Sequence, residues 1–120
     1  ALERGLKVIQ CRLQDFEDAG KYDAVLAISS LIHIPKNEIA AQIGKIASLL
    51  QPDGVVFMSF IEGGGEGFED PTSSGKARYF AKYSEEELLQ LLSPYFTMIE
   101  CHKIKNNKMN HTFCFYVLTL

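Results

Sequence analysis

A chain of 120 residues, 47% apolar and 22% charged, has the length and composition of one globular domain with one core. Its formal net charge of −3 excludes a global basic field for nucleic acid, and no apolar run approaches the roughly 18 residues of a membrane-crossing helix. The three cysteines, Cys11, Cys101 and Cys114, sit in apolar runs without metal-ligand spacing, which predicts buried, reduced thiols in a cytoplasmic protein. His33, His102 and His111 make no zinc pattern, so no metal is expected.

In chain order, Leu2 to Leu6 reads as the tail of a helix stopped at Gly5, and Lys7 to Cys11 as a short apolar strand. An acid just past a strand end, here Asp15, caps a short helical turn or accepts from a ligand amine. Ala24 to Ile28 is apolar without alternation. Such a run marks a strand buried on both faces of a parallel sheet. It changes abruptly to Ser29 and Ser30, with His33 close behind. Open α/β sheets place ligands at the carboxyl ends of their strands, although the same serines also serve as a plain turn.

From Pro35 to Leu50 the residues Ile39, Ile43, Ile46 and Leu50 recur at helical spacing, with Asn37 as N-cap. Ala40, Gly44 and Ala47 are small enough for close approach to a sheet. Gln51-Pro52-Asp53-Gly54 ends this helix, and Val55 to Ile61 is a strand, apolar but for Ser59. Glu62 to Lys76 reads as one long irregular loop near a site. Its glycines do not match a phosphate cradle, and the carboxylates around them repel phosphate. Ala77 to Tyr83 carries Arg78, Tyr79, Phe80 and Tyr83. Ser84 and Glu87 form a capping box for a helix with Leu88, Leu89, Leu91 and Leu92 on its face, ended by Pro94. Phe96 to Lys103 and His111 to Leu120 are strands, and the polar link between them implies an antiparallel hairpin. The whole is an α/β pattern: a mostly parallel sheet flanked by helices, with an antiparallel C-terminal hairpin.

Four of these segments, in this order, resemble the C-terminal portion of a class I S-adenosylmethionine-dependent methyltransferase, a Rossmann-like fold. Val8 to Phe16 is similar to the family's third strand and the acid after it. Tyr22 to Val25, through His33-Ile34-Pro35, is similar to the fourth strand and its loop. Leu49 to Gly54 followed by Val55 to Phe60 resembles the Leu-Lys-Pro-Gly-Gly turn and fifth strand. The terminal hairpin resembles the sixth and seventh strands. The family's first strand with its Gly-x-Gly loop has no counterpart, nor has the acid ending its second strand. Gly63-Gly64-Gly65 lies too late in the chain to stand in. Residues 1–120 are therefore expected to form a single methyltransferase-like domain, N-terminally incomplete.

The resemblance implies S-adenosylmethionine as cofactor in the intact protein. Carried over by position, Asp15 accepts from the adenine amino group, and Phe16 lies beside the ring and offers a backbone N–H. Ser29, Ser30 and Leu31 line the sulfonium end. His33 faces the methyl acceptor as the catalytic residue, or is a structural histidine. Glu66, Arg78, Tyr79 and Tyr83 fall where the family builds its acceptor pocket. Arg78 is suited to a substrate carboxylate, or to one of the loop acids. The Asn/Asp-Pro-Pro-Tyr/Phe motif of DNA and protein amide methyltransferases is absent at Ser29 to Ile32. That favours a small-molecule acceptor over nucleic acid, and no membrane partner is implied. The alternative is a non-enzymatic half-domain, or a subunit completed by another chain. Without the family's first two strands, the edge of Tyr22 to Ile28 is open. Either Lys7 to Cys11 closes up beside it, the favoured arrangement, or a second copy does, making a homodimer.

Overall fold

The computed structural model describes Gly5, residues 9–17 and residues 21–120. Among these the elements follow in the order β1 (Tyr22–Ala27), α1 (Lys36–Leu49), β2 (Leu50–Glu62), β3 (Glu66–Glu69), β4 (Arg78–Tyr83), α2 (Glu85–Leu92), β5 (Thr97–Asn106) and β6 (His111–Thr119). Short 3-10 turns lie at Leu13–Asp15 and Leu31–His33.

β2 organises the sheet. β6 runs antiparallel along one of its edges from Val55 to Ile61, and β5 pairs antiparallel with β6 beyond. β1 is parallel to β2 on the other edge up to Ala27 opposite Met58. β4 then takes over that same edge, Ile61 opposite Lys82, and carries β3 on its outer side. The result is a partial class I methyltransferase fold: the C-terminal reversed pair is present as expected, and an extra hairpin, β3–β4, sits where a loop was expected.

That hairpin corrects the reading of Glu62 to Lys76 as wholly irregular. Apart from the short turn at Gly63 to Gly65, only the stretch between Glu69 and Arg78 is loop, and Glu66 to Glu69 pairs with Ala81 back to Arg78. The pairing is made by side chains far apart in sequence. Phe68 meets Tyr79 edge-on at 5.3 Å between ring centres, and Lys82 pairs with Glu69 at 3.0 Å.

Residues of alternate parity in β2 face two cores. Val56, Met58 and Phe60 join Ile39, Ile43 and Ile46 of α1 and Leu88 and Leu92 of α2 in the main cluster, with Cys114, Tyr116 and Leu118 of β6. Ile61 faces the other way, into a smaller cluster with Ile32, Phe80 and Phe113. The rest of that second face is thinly covered among the described residues: Leu26 is 71% exposed and Ile104 58%.

Several local expectations change. α1 begins after Pro35, whose φ of −56° and ψ of 146° set the entry without a side-chain cap, so Asn37 lies inside the first turn. Gly44 gives room not to the sheet but to Tyr95: a Cβ there would lie 3.0 Å from the Tyr95 hydroxyl. Gln51 to Gly54 does not separate helix from strand. It is a bulge within β2, since Tyr22 pairs with Leu50 and Ala24 with Val55. Gly54 is required there, because a Cβ would sit 2.9 Å from the Gln51 carbonyl oxygen. The Ser84–Glu87 capping box forms as expected.

Ile9 to Cys11 is exposed and not in a strand, while Lys7 and Val8 lie outside the described residues. The expected helix tail at Leu2 to Leu6, Gly5 apart, also lies outside them. Among the described residues nothing pairs with the outer edge of β1. Only Cys114 of the three cysteines is buried. Cys101 is exposed because β5 forms the far edge of the sheet, with nearly every residue open to solvent.

Candidate functional site

The site lies where the partner strand of β2 changes. β1 ends at Ala27, β4 begins three residues further along β2, and the chain leaving β1 turns into the gap. Ser29 makes that turn with φ of 56°, a left-handed conformation that costs a non-glycine residue about 1–2 kcal/mol. Its backbone N–H donates to the Ser59 hydroxyl at 2.7 Å, and Ser59 is fully buried. The one polar side chain of an otherwise apolar strand stretch is therefore the support of the turn. Ser30 leads into the 3-10 turn at Leu31–His33, which Leu31 and Ile32 anchor in the two cores.

His33 Nδ1 lies 2.7 Å from the carbonyl oxygen of Tyr79 in β4. A carbonyl can only accept, so Nδ1 carries the hydrogen and Nε2 keeps its lone pair. The Phe80 ring meets the imidazole at 4.9 Å between centres. Burial pushes the His33 pKa below its ordinary value; the Tyr79 carbonyl opposes this and the charge of Arg78 adds to it. His33 is thus a neutral imidazole with a fixed tautomer at neutral pH.

Two cavities meet at this residue. A cleft of about 570 Å³ is lined by Leu13 and Gln14 on one side and by Ser29, Ser30, Leu31 and Ile34 on the other. A smaller pocket of about 250 Å³ is floored by Ile32, Phe80, Met109 and Phe113 and walled by the Glu69–Arg78 loop. Ser29, His33 and Arg78 line both.

The predicted residues divide accordingly. Ser29, Ser30 and Leu31 face the larger cleft, and Arg78 and His33 stand between the two cavities. Asp15 ends the 3-10 turn at the cleft's edge and Phe16 caps it, but Arg12, Leu13 and Gln14 are the lining. Arg12 holds the Asp15 carboxylate through contacts of 2.9 and 3.3 Å, and that hydrogen bond keeps its pKa below the usual range. The Phe16 N–H is already engaged, donating to the Leu13 carbonyl at 3.1 Å. Lys45 of α1 fastens the turn by donating to the carbonyls of Leu13 and Gln14, each at 2.9 Å.

Glu66, Tyr79 and Tyr83 line neither cavity. The Tyr79 hydroxyl donates to Glu66, which also accepts from the Lys36 backbone N–H at 3.1 Å. The Tyr79 hydrogen bond, with that of Lys36, holds the Glu66 pKa down. Lys36 pairs with Glu87 at 2.9 Å and lies over the Tyr83 ring, 4.7 Å from its centre. Tyr83 itself is core, edge-on to Phe60. Together these side chains clamp β4 to the start of α1 and of α2. Tyr79 contributes to the site through its backbone carbonyl.

Sequence reasoning missed Ser59, Met109 and Phe113. The single hydroxyl in an apolar strand was the available signal for Ser59. Met109 and Phe113 carried none, because the pocket they floor depends on β6 returning beside β2.

No protein-family model matches the sequence, and no curated protein matches it by sequence. Solved structures match it by fold. A 1,6-didemethyltoxoflavin-N1-methyltransferase from Burkholderia thailandensis, with S-adenosylhomocysteine bound, superposes with a TM-score of 0.74 at 20% identity, over 92% of this chain and 49% of its own. An S-adenosylmethionine-dependent methyltransferase from Clostridium acetobutylicum gives 0.73 at 13% identity, over 99% and 67%. The glycopeptide N-methyltransferase MtfA, with S-adenosylhomocysteine, gives 0.69 at 10% identity, over 93% and 60%. The fold is that of a class I S-adenosylmethionine-dependent methyltransferase, in part: the chain spans about half to two thirds of the length of these structures. No helix among the described residues is long and apolar enough to cross a membrane.

Proposed function

We propose that residues 1–120 are a single methyltransferase-like domain carrying the acceptor side of an S-adenosylmethionine-dependent enzyme for a small molecule, with the cofactor site completed by chain outside them. The observation that supports this most is the position of His33. It stands between two adjoining cavities, its Nδ1–H tied to the Tyr79 carbonyl and its Nε2 available to accept.

S-adenosylmethionine, when bound, supplies a methyl group activated by its sulfonium. The larger cleft suits such a ligand: Leu13, Leu31 and Ile34 offer apolar surface, and Gln14, Ser29 and Ser30 offer polar groups. Asp15 and Phe16 belong to this cofactor side, Asp15 as the acceptor for the adenine amino group. Methyl transfer needs mainly in-line positioning and at most one base. In this reading the smaller pocket would hold an oxygen or nitrogen nucleophile, and His33 Nε2 would take its proton as the nucleophile bonds to the methyl carbon and the carbon–sulfur bond breaks, leaving a neutral thioether. The proton then passes to water. Ser59 and the Glu66–Tyr79 clamp act at a distance, by fixing the turn at Ser29 and the strand that carries Arg78. Neither nucleic acid nor a membrane is the partner, and we place the protein in the cytoplasm.

The test is methyl transfer by the intact protein from tritiated S-adenosylmethionine to a panel of small oxygen and nitrogen nucleophiles. Incorporation that His33→Gln abolishes supports the reading; incorporation into none of them, with the cofactor shown to bind, removes it.

One observation favours a second reading, a non-enzymatic module or a subunit completed by another chain. β1 pairs on one side alone among the described residues. Sedimentation equilibrium of the chain at several concentrations separates the two: a concentration-dependent homodimer supports the second.

A further inference from the structure

The smaller pocket contains four charged residues, and they are not equivalent. Both acids are already satisfied. Asp70 accepts from the Ser74 N–H and hydroxyl, each at 3.0 Å, and from the Gly75 N–H at 2.8 Å. Glu69 is held by Lys82 at 3.0 Å, with His111 Nε2 3.5 Å from its other oxygen. The two cations have no such partner. Among the described residues neither the Arg78 guanidinium nor the Lys76 ammonium makes an ion pair or a side-chain hydrogen bond, yet both face the pocket. The rest of the lining includes the apolar side chains of Ile32, Phe80, Met109 and Phe113.

With Glu69 neutralised by Lys82, the two unpaired cations outweigh Asp70, whose neutral donors satisfy its oxygens but leave its charge, so the pocket offers free cationic donors over an apolar, partly aromatic base. Resting on the methyltransferase reading above, we infer that the methyl acceptor is a small acid: a ring-sized apolar body on the Phe80–Phe113 floor, with an anionic group taken by Arg78 and Lys76. The volume of about 250 Å³ limits the body to roughly one ring and its substituents. Arg78 is the better anchor, because its planar fork matches a carboxylate or phosphate with two parallel hydrogen bonds. Arg78 also lines the wall that holds His33, so an acceptor anchored there keeps its ring, and a nucleophile on it, on the His33 side of the pocket.

The experiment needs no cofactor and no turnover. Benzoate, phenyl phosphate and the neutral isostere benzamide are titrated into the 120-residue chain, and methyl and aromatic NMR signals of Met109, Phe80 and Phe113 are followed. Benzoate or phenyl phosphate is expected to bind at least tenfold more tightly than benzamide, and the stronger of the two identifies the anion. In Arg78→Ala that preference falls to near unity while benzamide binding is unchanged; Arg78→Lys keeps part of it. An unperturbed NMR spectrum elsewhere in each variant shows that the fold is intact. Equal affinities for all three probes, no binding of any, or a preference that survives Arg78→Ala overturns the inference. Failure of methyl transfer with the anion preference intact would instead remove the methyltransferase reading and leave the pocket's charge selectivity standing.

Discussion

The imidazole of His33 and the backbone carbonyl of Tyr79, 46 residues apart in sequence, are joined by a 2.7 Å hydrogen bond. This bond fixes the tautomer of the side chain between the two cavities, and it depends on β4 lying beside β2. Burial and Arg78 lower the His33 pKa from its ordinary 6.5, outweighing the Tyr79 bond. If His33 is the base, activity of the intact enzyme falls with acid only below pH 6.5. His33→Gln lowers the rate by about 10²–10⁴-fold. The sign for stability is the same. The unfolded chain binds the proton more readily than the folded one, so this group's contribution is complete above its unfolded pKa. It is lost as pH falls through the lower folded value. A pH–rate profile inflecting above 6.5, or a fully active glutamine variant, removes His33 from the chemistry.

Ser59 acts one step behind the site. Its hydroxyl is the acceptor for the Ser29 N–H in a turn with φ of 56°. Ser59→Ala leaves that N–H without its partner and the turn without its brace. The expected cost is about 1–3 kcal/mol in denaturant unfolding. The Ser29 and Ser30 amide signals are expected to move with it. An alanine variant as stable as the wild type would show that the turn holds itself.

Tyr83 is the reverse case. Its hydroxyl is buried and takes no hydrogen bond among the described residues, and burial raises its pKa above the ordinary range. Removing it frees a desolvated polar group, and the ring that faces Phe60 and Lys36 remains. Tyr83→Phe is therefore expected to be neutral or stabilising by up to about 1 kcal/mol in thermal unfolding. The Michaelis constant for the acceptor is expected to stay unchanged. A raised Michaelis constant would return Tyr83 to the acceptor pocket.

What the sequence made legible follows the range of the forces involved. The apolar run before Ser29, the period of Ile39, Ile43 and Ile46, the Ser84–Glu87 box and the terminal hairpin are all local patterns, and each appears in the fold. But the strand expected to be buried on both faces is largely exposed: of β1 only Ala27 is buried, because nothing among the described residues covers its outer edge or the face carrying Leu26. The β3–β4 hairpin was not legible. Glu66-Gly67-Phe68-Glu69 has the composition of a loop, and its pairing comes from Tyr79 and Lys82 across the gap. For the same reason Glu66, Tyr79 and Tyr83 were read as pocket residues. In the fold their side chains line neither cavity, and β-strand alternation turns Tyr83 into the core. Arg78 and His33 were identifiable as residue types, whereas the wall they share required the strands to be in place.

The final prediction concerns the cofactor. The larger cleft has polar groups from Gln14, Ser29 and Ser30, but the Asp15 carboxylate is tied to Arg12 and the Phe16 N–H to Leu13. Engaging Asp15 with an adenine amino group means releasing an exposed ion pair, a small cost. The larger deficit is that the family's glycine loop and second-strand acid have no counterpart in residues 1–120. Without them, the lining described for this cleft offers Arg12 and Arg78 to a carboxylate but no acid to hold ribose hydroxyls. Residues 1–120 alone are therefore expected to bind S-adenosylmethionine more weakly than about 1 mM, a binding free energy near −4 kcal/mol. In the intact protein, Asp15→Ala is expected to weaken binding measurably, by the loss of one polar contact. Isothermal titration calorimetry decides both points. Micromolar binding by this chain alone would mean that the cleft described here is sufficient. An Asp15→Ala variant of unchanged affinity would confine Asp15 to its pair with Arg12.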